Sequence, residues 1–358
     1  MVLIIIKAMP LVGGGLLRKI VHSPLAAAAT FFCLATNALQ LVPLASAFSI
    51  EMVSPPTSTI RPKAAVIDSH LHVWACRGEA AKRFPYAEGQ EPPDHLSERA
   101  STSELLKQLA EAGVDGALIV QPINHKFDHS YVEAAIMEHP TKFKGMLLAD
   151  PSLPPELAVE RLEELSLKGF VGVRFNPYLW PKGRLMSEEG GCGEAVFKRC
   201  AELKMPVGIM VFEGLLQHFD DICALIESSP ETTVILDHLG FTGLNDDGDK
   251  AFQQLLTLKR HKNVMVKISA LFRIAGPGDD PYPYEGVRAR RFEPLLREFG
   301  AHRLMVGTDF PYVLQEDGGY GGTFRLLESW LAGATSEKER AAVMGGTAEK
   351  LFGPWSKY

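Results

Sequence analysis

Cysteine is scarce in this 358-residue chain, with five in all. Cys76, Cys192, Cys200 and Cys223 lack the close-paired spacing of a zinc site, and with Cys33 they are too few for a disulfide scaffold of this length. Buried or half-buried thiols are the expectation. A surplus of positive charge is also missing, since 37 Lys and Arg stand against 43 Asp and Glu; a nucleic-acid partner is therefore not expected. The 46% hydrophobic and 22% charged content excludes wholesale disorder and collagen-like repeats. No solenoid-length repeat is present.

Acid is absent from residues 1–50, where Lys7, Arg18 and Lys19 are the only charges and Glu51 is the first carboxylate. An uncharged run from Ser23 to Ile50 ends near Ala45-Ser46-Ala47, the small-x-small pattern of a cleavage site. These features predict a targeting peptide over 1–50, with a membrane anchor as the competing reading, weakened by Asn37, Gln40 and Pro43. No stable membrane span is expected in the mature chain. Import into a plastid is the expected destination, with the secretory pathway as the alternative. Pro55, Pro56, Ser58, Thr59 and Pro62 mark a linker over 51–63, leaving 64–358 as one domain.

The body alternates short β-branched runs with amphipathic stretches. Apolar runs occur at Ala64–Val73, Gly116–Gln121, Phe143–Ala149, Phe170–Phe175, Val207–Phe212, Thr233–Leu239, Val264–Leu271 and Leu304–Gly307. Each suits a strand buried on both faces. Helical periodicity falls between them, and Lys338–Leu351 predicts a terminal helix. Eight such units predict an α/β fold, a (β/α)8 barrel. A doubly wound open sheet is the rival, but no Gly-rich turn follows Val66-Ile67-Asp68-Ser69-His70.

In a barrel, chemistry belongs at the C-terminal ends of the strands. The first strand closes with Asp68-Ser69-His70-Leu71-His72, whose alternate residues are expected to share a face. Two imidazoles converging there suit a metal or a polarised carbonyl. Further ends supply Arg174 and Asn176, Asp237 and His238, Lys267 and Ser269, and Thr308-Asp309.

This constellation resembles the amidohydrolase-2 branch of the amidohydrolase (metal-dependent hydrolase) superfamily, near 2-pyrone-4,6-dicarboxylate lactonase and the sugar lactonases, including plant and algal members. The matching pieces are Asp68-Ser69-His70-Leu71-His72, Val171-Gly172-Val173-Arg174-Phe175-Asn176, Ile235-Leu236-Asp237-His238-Leu239-Gly240, Val266-Lys267-Ile268-Ser269, Gly307-Thr308-Asp309-Phe310-Pro311 and Met344–Phe352. The resemblance implies a hydrolase that opens a lactone or related cyclic ester. Asp309 would be the general base, with His70, His72 and His238 stabilising the carbonyl oxygen. Arg174 is the implied fork for a substrate carboxylate, beside Asn176 and Tyr178. An ion pair for Arg174, with Asp309 as the candidate partner, is its structural alternative, and His238 has a supporting role as its own. One departure stands out: Met210 lies where metal-dependent relatives supply a histidine from strand five. No required cofactor is therefore expected; zinc at His70, His72 and Asp309, with Glu213 as a further candidate, is the alternative.

The expected partner is a small molecule, a lactone or carboxylate; nothing fixes the oligomeric state. The other functions compatible with these motifs are a zinc-dependent decarboxylase of a small acid and a catalytically inactive barrel that only binds. Phe84, Tyr86 and Trp180 are candidates to wall the mouth or to pack loops, and Glu316–Gly322 for a mobile lid or a flexible turn.

Overall fold

The structure is a computed structural model that describes residues 64–355. The targeting peptide and linker expected over 1–50 and 51–63 lie outside the described residues. Eight strands, β1 (Ile67–Leu71), β2 (Gly116–Val120), β3 (Phe143–Leu148), β4 (Phe170–Phe175), β5 (Val207–Ile209), β6 (Val234–Leu236), β7 (Val264–Ile268) and β8 (Leu304–Val306), form one parallel sheet in sequence order. The ring closes where Leu71 bridges Phe310, with Asp309 N donating to His70 O and His72 N donating to Phe310 O, both at 2.8 Å. This is the (β/α)8 barrel the alternation implies. Its closure also ties the two ends of the chain's chemistry together through the backbone.

The principal outer helices are α1 (Thr102–Ala112), α2 (Ser130–Glu138), α3 (Pro155–Ser166), α4 (Cys192–Leu203), α5 (Leu215–Ser228), α6 (Asp246–Thr257), α7 (Glu293–Phe299) and α8 (Gly319–Ala332). Local chemistry sets their ends. Ser101 accepts from Glu104 N to start α1, Asn245 accepts from Gly248 N at 2.8 Å to start α6, and Pro155 opens α3. Their apolar faces, such as Leu105 and Leu109 of α1 and Leu162 and Leu165 of α3, pack on the outward residues of the strands. Each such burial contributes about 1.5–3 kcal/mol. Among the described residues no helix is long and apolar enough to cross a membrane.

Inside the barrel, Ile67, Leu118, Val120, Met146, Ile235 and Met305 form a separate apolar plug with Phe352 and Trp355. Trp355 Nε1 donates to Ala117 O at 3.0 Å, which places the indole at the N-terminal end of β2. Gly116 makes this approach possible, since a Cβ there would lie 2.2 Å from the Trp355 ring. The plug fills the bottom of the barrel, so polar groups are left for the opposite end.

Two expectations need correction. The continuous terminal helix over Lys338–Leu351 is broken into Glu337–Ala341 and Thr347–Phe352, because Gly345 packs where a Cβ would sit 2.1 Å from Ala65 O. The candidate lid is no free loop: Gly319 to Gly322 form the first turn of α8, and Glu316 accepts from the Tyr284 hydroxyl at 3.1 Å.

The β2–α2 loop carries a buried histidine with a measurable consequence. His129 Nδ1 donates to Phe127 O at 2.9 Å, and Nε2 accepts from Leu148 N of β3 at 3.0 Å, so the ring is neutral. Burial, aided by the Arg161 charge, lowers its pKa from 6.5 to about 4. The unfolded chain therefore binds a proton that the folded chain refuses. The stabilisation from this residue is complete above pH 6.5 and is lost progressively as the pH falls toward about 4, up to about 3 kcal/mol. Urea unfolding of wild type and His129→Gln between pH 7 and pH 4.5 checks this: the wild-type stability falls more steeply, by close to one proton's slope. Parallel pH profiles would contradict it.

Candidate active site

β1 delivers His70 and His72 to the open end of the barrel, where β8 delivers Asp309. His72 Nδ1 donates to Val120 O at 2.8 Å, which leaves the Nε2 lone pair facing inward. Around Asp309 Oδ1 stand three imidazole nitrogens: His72 Nε2 at 3.5 Å, His238 Nε2 at 3.9 Å and His70 Nε2 at 4.0 Å. All four residues are buried. The other carboxylate oxygen, Oδ2, accepts from Arg273 Nε at 2.9 Å. Burial alone would raise the Asp309 pKa, but His238, His72 and Arg273 together outweigh it and hold the carboxyl far below its usual range. Asp309 is an anion at any working pH.

His238 is set by an unusual turn. His238, Leu239 and Phe241 all have positive φ, at 51°, 49° and 52°, with Gly240 at 64° between them. Each non-glycine residue in that region costs about 1–2 kcal/mol. The turn aims the His238 ring at Asp309 while Nδ1 meets Ser269 Oγ at 2.8 Å. Burial lowers the His238 pKa to about 4, so the ring is neutral at pH 7. His238 thus has both the supporting bond and the site-facing nitrogen that the sequence left as alternatives.

A second layer lies beneath. Asp237 Oδ1 is 3.2 Å from His70 Nδ1 and 3.2 Å from Lys267 Nζ, and Asp237 Oδ2 is 3.3 Å from Arg174 Nε. Lys267 and Asp237 are fully buried. Burial raises the Asp237 pKa, but Lys267, His70 and Arg174 reverse this and hold it well below the ordinary value. His70 is kept far below the imidazole range, by desolvation first and by the Lys267 and His238 charges next, against the pull of Asp237. Gly307 makes room for this ring, since a Cβ at that position would lie 2.7 Å from His70 Cβ.

An open cavity of about 460 Å³ leads down to these groups. Arg174, Asn176 and Tyr178 line it with His72, His238 and Asp309. Arg174 is 3% exposed, and its Nε and one terminal nitrogen lack a hydrogen-bond partner. Asn176 Nδ2 donates to the Tyr178 hydroxyl at 3.0 Å. Of the residues singled out as catalytic or substrate-binding, all but His70 line this one cavity; His70 is fully buried behind it, with Nε2 4.0 Å from Asp309 Oδ1.

Other expectations change. Asp68 does not join His70 and His72: the pairing register slips between Asp68 and Leu71, and its carboxylate accepts from Thr308 Oγ1 at 2.6 Å and Thr308 N at 3.1 Å. The ion-pair partner of Arg174 is Asp237, not Asp309. Glu213 lines the cavity but is exposed and stands outside the cluster of potential metal ligands. Tyr86 and Trp180 serve loop packing, through Tyr86 OH donating to Ala75 O and Trp180 resting on Phe175 with ring centres 5.1 Å apart. Arg273 and Tyr312, which also line the cavity, carry no motif signal; Arg273 lies in the short helix Leu271–Ala275 that follows β7, its guanidinium 4.7 Å from the Tyr312 ring centre.

The family model described as amidohydrolase matches residues 67–353. The chain belongs to the amidohydrolase family. This amidohydrolase is 27% identical to 4-sulfomuconolactone hydrolase of Hydrogenophaga intermedia over 310 residues, 81% of this chain and 89% of that protein. A solved structure described as a 2-pyrone-4,6-dicarboxylic acid hydrolase of Pseudomonas putida shares its fold, with a TM-score of 0.65, 24% identity and coverage of 82% of this chain and 99% of that one. An amidohydrolase of Burkholderia multivorans, solved with bound zinc, superposes with a TM-score of 0.62 at 20% identity, covering 81% and 99%.

The expectation that no cofactor is required is overturned. The ligand atoms of His70, His72 and Asp309 lie within 4.8 Å of one another, and the Burkholderia multivorans amidohydrolase that shares the fold was solved with zinc bound. His70 Nε2 is buried without a hydrogen-bond partner, as a nitrogen reserved for a metal would be. Two imidazoles and a carboxylate are a borderline-soft donor set suited to zinc. Asp237 at His70 and the Val120 carbonyl at His72 are the outer partners that orient such ligands. The loss of a strand-five histidine at Met210 does not undo the set, because three protein ligands suffice for a catalytic site.

Proposed function

We propose that this chain is a hydrolase that opens a carboxylate-bearing lactone, the ring opening at the cluster of His70, His72, His238 and Asp309. One observation carries the reading: three imidazole nitrogens surround one oxygen of an obligately ionised, buried Asp309 at the floor of a cavity that also holds Arg174. The lactone hydrolase named among its relatives supports the same reaction class.

His70, His72 and Asp309 would hold a divalent metal, which would supply Lewis acidity toward the carbonyl oxygen when bound. The protein's own groups do the rest. Asp309 accepts a proton from the attacking water as its oxygen bonds to the carbonyl carbon. The ring C–O bond then breaks, and Asp309 returns the proton to the departing alkoxide. A carboxyl held far below its usual pKa is a weak base but a strong acid toward an alkoxide, which suits the second step. His238, neutral and accepting from Ser269 at Nδ1, presents Nε2–H to the carbonyl oxygen. The terminal nitrogen of Arg174 that lacks a hydrogen-bond partner holds the substrate carboxylate while Nε stays on Asp237, and Asn176 and Tyr178 close that side.

Proton release on ring opening tests this with a panel of aldonolactones and dicarboxylate lactones. Turnover of at least one carboxylate-bearing member, abolished by a chelator and restored by zinc, is expected. Consumption of no cyclic ester by zinc-loaded protein overturns the reading. The plastid destination is a separate proposal resting on the composition of residues 1–50, and following a tagged leader fusion in cells decides it.

A further inference from the structure

Beside the catalytic cavity lies a second open hollow of about 720 Å³. Phe212, Glu213 and Arg273 line both, so the two adjoin at the mouth. Between the charged Glu213 and Arg273 of this boundary, and along the outer wall, apolar side chains meet water. Phe212 is 55% exposed and Leu216 is 42% exposed, in a protein whose other aromatic side chains near the mouth are mostly packed down. Behind Phe212 stands Phe241, ring centres 5.6 Å apart and nearly perpendicular, and Phe241 in turn meets the His238 ring edge-on at 5.1 Å. An aromatic path thus runs from the catalytic histidine outward to an exposed phenyl face.

The strained turn at His238–Phe241 gives the path its shape. A left-handed backbone at both His238 and Phe241 places one ring over Asp309 and the other beneath Phe212. Such strain concentrates at sites that hold ligands. A ring that only needed to orient His238 would leave Phe212 without purpose in water.

We propose that the second hollow is a specificity compartment, and that the substrate is a carboxylate-bearing lactone carrying an aryl or comparably bulky apolar arm. This rests on the lactonase reading and goes beyond it. The lactone ring occupies the inner cavity with its carboxylate on Arg174, while the arm crosses the mouth and lies against Phe212, Phe241 and Leu216. Arg273, gripping Asp309 through Nε, sits at the junction and gives the arm's path a polar edge. Offset or edge-on contact between an aryl arm and the Phe212–Phe241 pair adds to the area removed from water.

Binding of glutarate and of 3-phenylglutarate to the zinc-loaded full-length chain, followed by calorimetric titration, tests this without requiring turnover. The phenyl compound is expected to bind at least fivefold tighter to wild type. Leu216→Asn, at an exposed position that lines the second hollow and not the inner cavity, should remove most of that advantage while leaving glutarate affinity within twofold, and Phe212→Ala should remove most of it as well. Failure of the phenyl compound to bind more tightly in wild type, including failure of both to bind, overturns the proposal, as does an advantage that survives both substitutions. If the advantage is present but no lactone is turned over, the compartment stands and the assigned reaction falls.

Discussion

Asp309→Asn is expected to lower kcat/KM for lactone opening by about a thousandfold or more, with the protein still folded. The size follows from what one oxygen does. Asp309 Oδ1 is the point toward which three imidazole nitrogens converge within 4.0 Å, and the proposed reaction makes this carboxylate the proton acceptor as well as one of three candidate metal ligands. General base catalysis alone accounts for about 10²–10⁴-fold. The amide is nearly the same size and can still accept from Arg273 Nε through its oxygen, so thermal unfolding should shift little. Loss of zinc affinity should accompany the loss of rate. A variant within tenfold of wild type would show that the carboxylate merely anchors Arg273.

Asp237→Asn is expected to be the most destabilising single change at the site, by about 3–5 kcal/mol in urea unfolding at pH 7. The carboxylate is fully buried and is the counter-charge for Lys267 and Arg174 as well as a partner of His70 Nδ1. The amide leaves buried cations uncompensated. Coupling makes the prediction sharper, since Lys267→Met should destabilise the wild type but restore stability in the Asp237→Asn background. Such a reversal of sign is the mark of direct interaction. Additive effects of the two substitutions would contradict the buried ion cluster.

The barrel was largely legible because buried parallel strands are short apolar runs. Phe170–Phe175 appears in the sequence with the same limits as in the sheet. The runs at Val207–Phe212 and Thr233–Leu239 overshoot, since β5 stops at Ile209 and β6 at Leu236 while the apolar composition continues. Those overshoots hold residues of the proposed site: Phe212 and His238 lie past the last paired residue, where the chain leaves the sheet for the mouth. His70, His72, Arg174 and Asp309 were legible from motif position at strand ends. Asp68 was misplaced because a register slip of one residue leaves no mark on composition. Asp237 was visible beside His238, but its role depends on β1, β4 and β7 meeting at one carboxylate, which no local pattern encodes. Arg273 lies in the five-residue helix Leu271–Ala275, too short to show helical periodicity in the sequence. The metal was misjudged by weighting the missing histidine at Met210 above the three donors that remain together.

The most direct test of the account is a crystal structure of zinc-loaded protein with anomalous data collected at the zinc edge. A single peak bounded by His70 Nε2, His72 Nε2 and Asp309 is the predicted result. Density elsewhere, or an active crystal with no zinc peak at those three side chains, would contradict it.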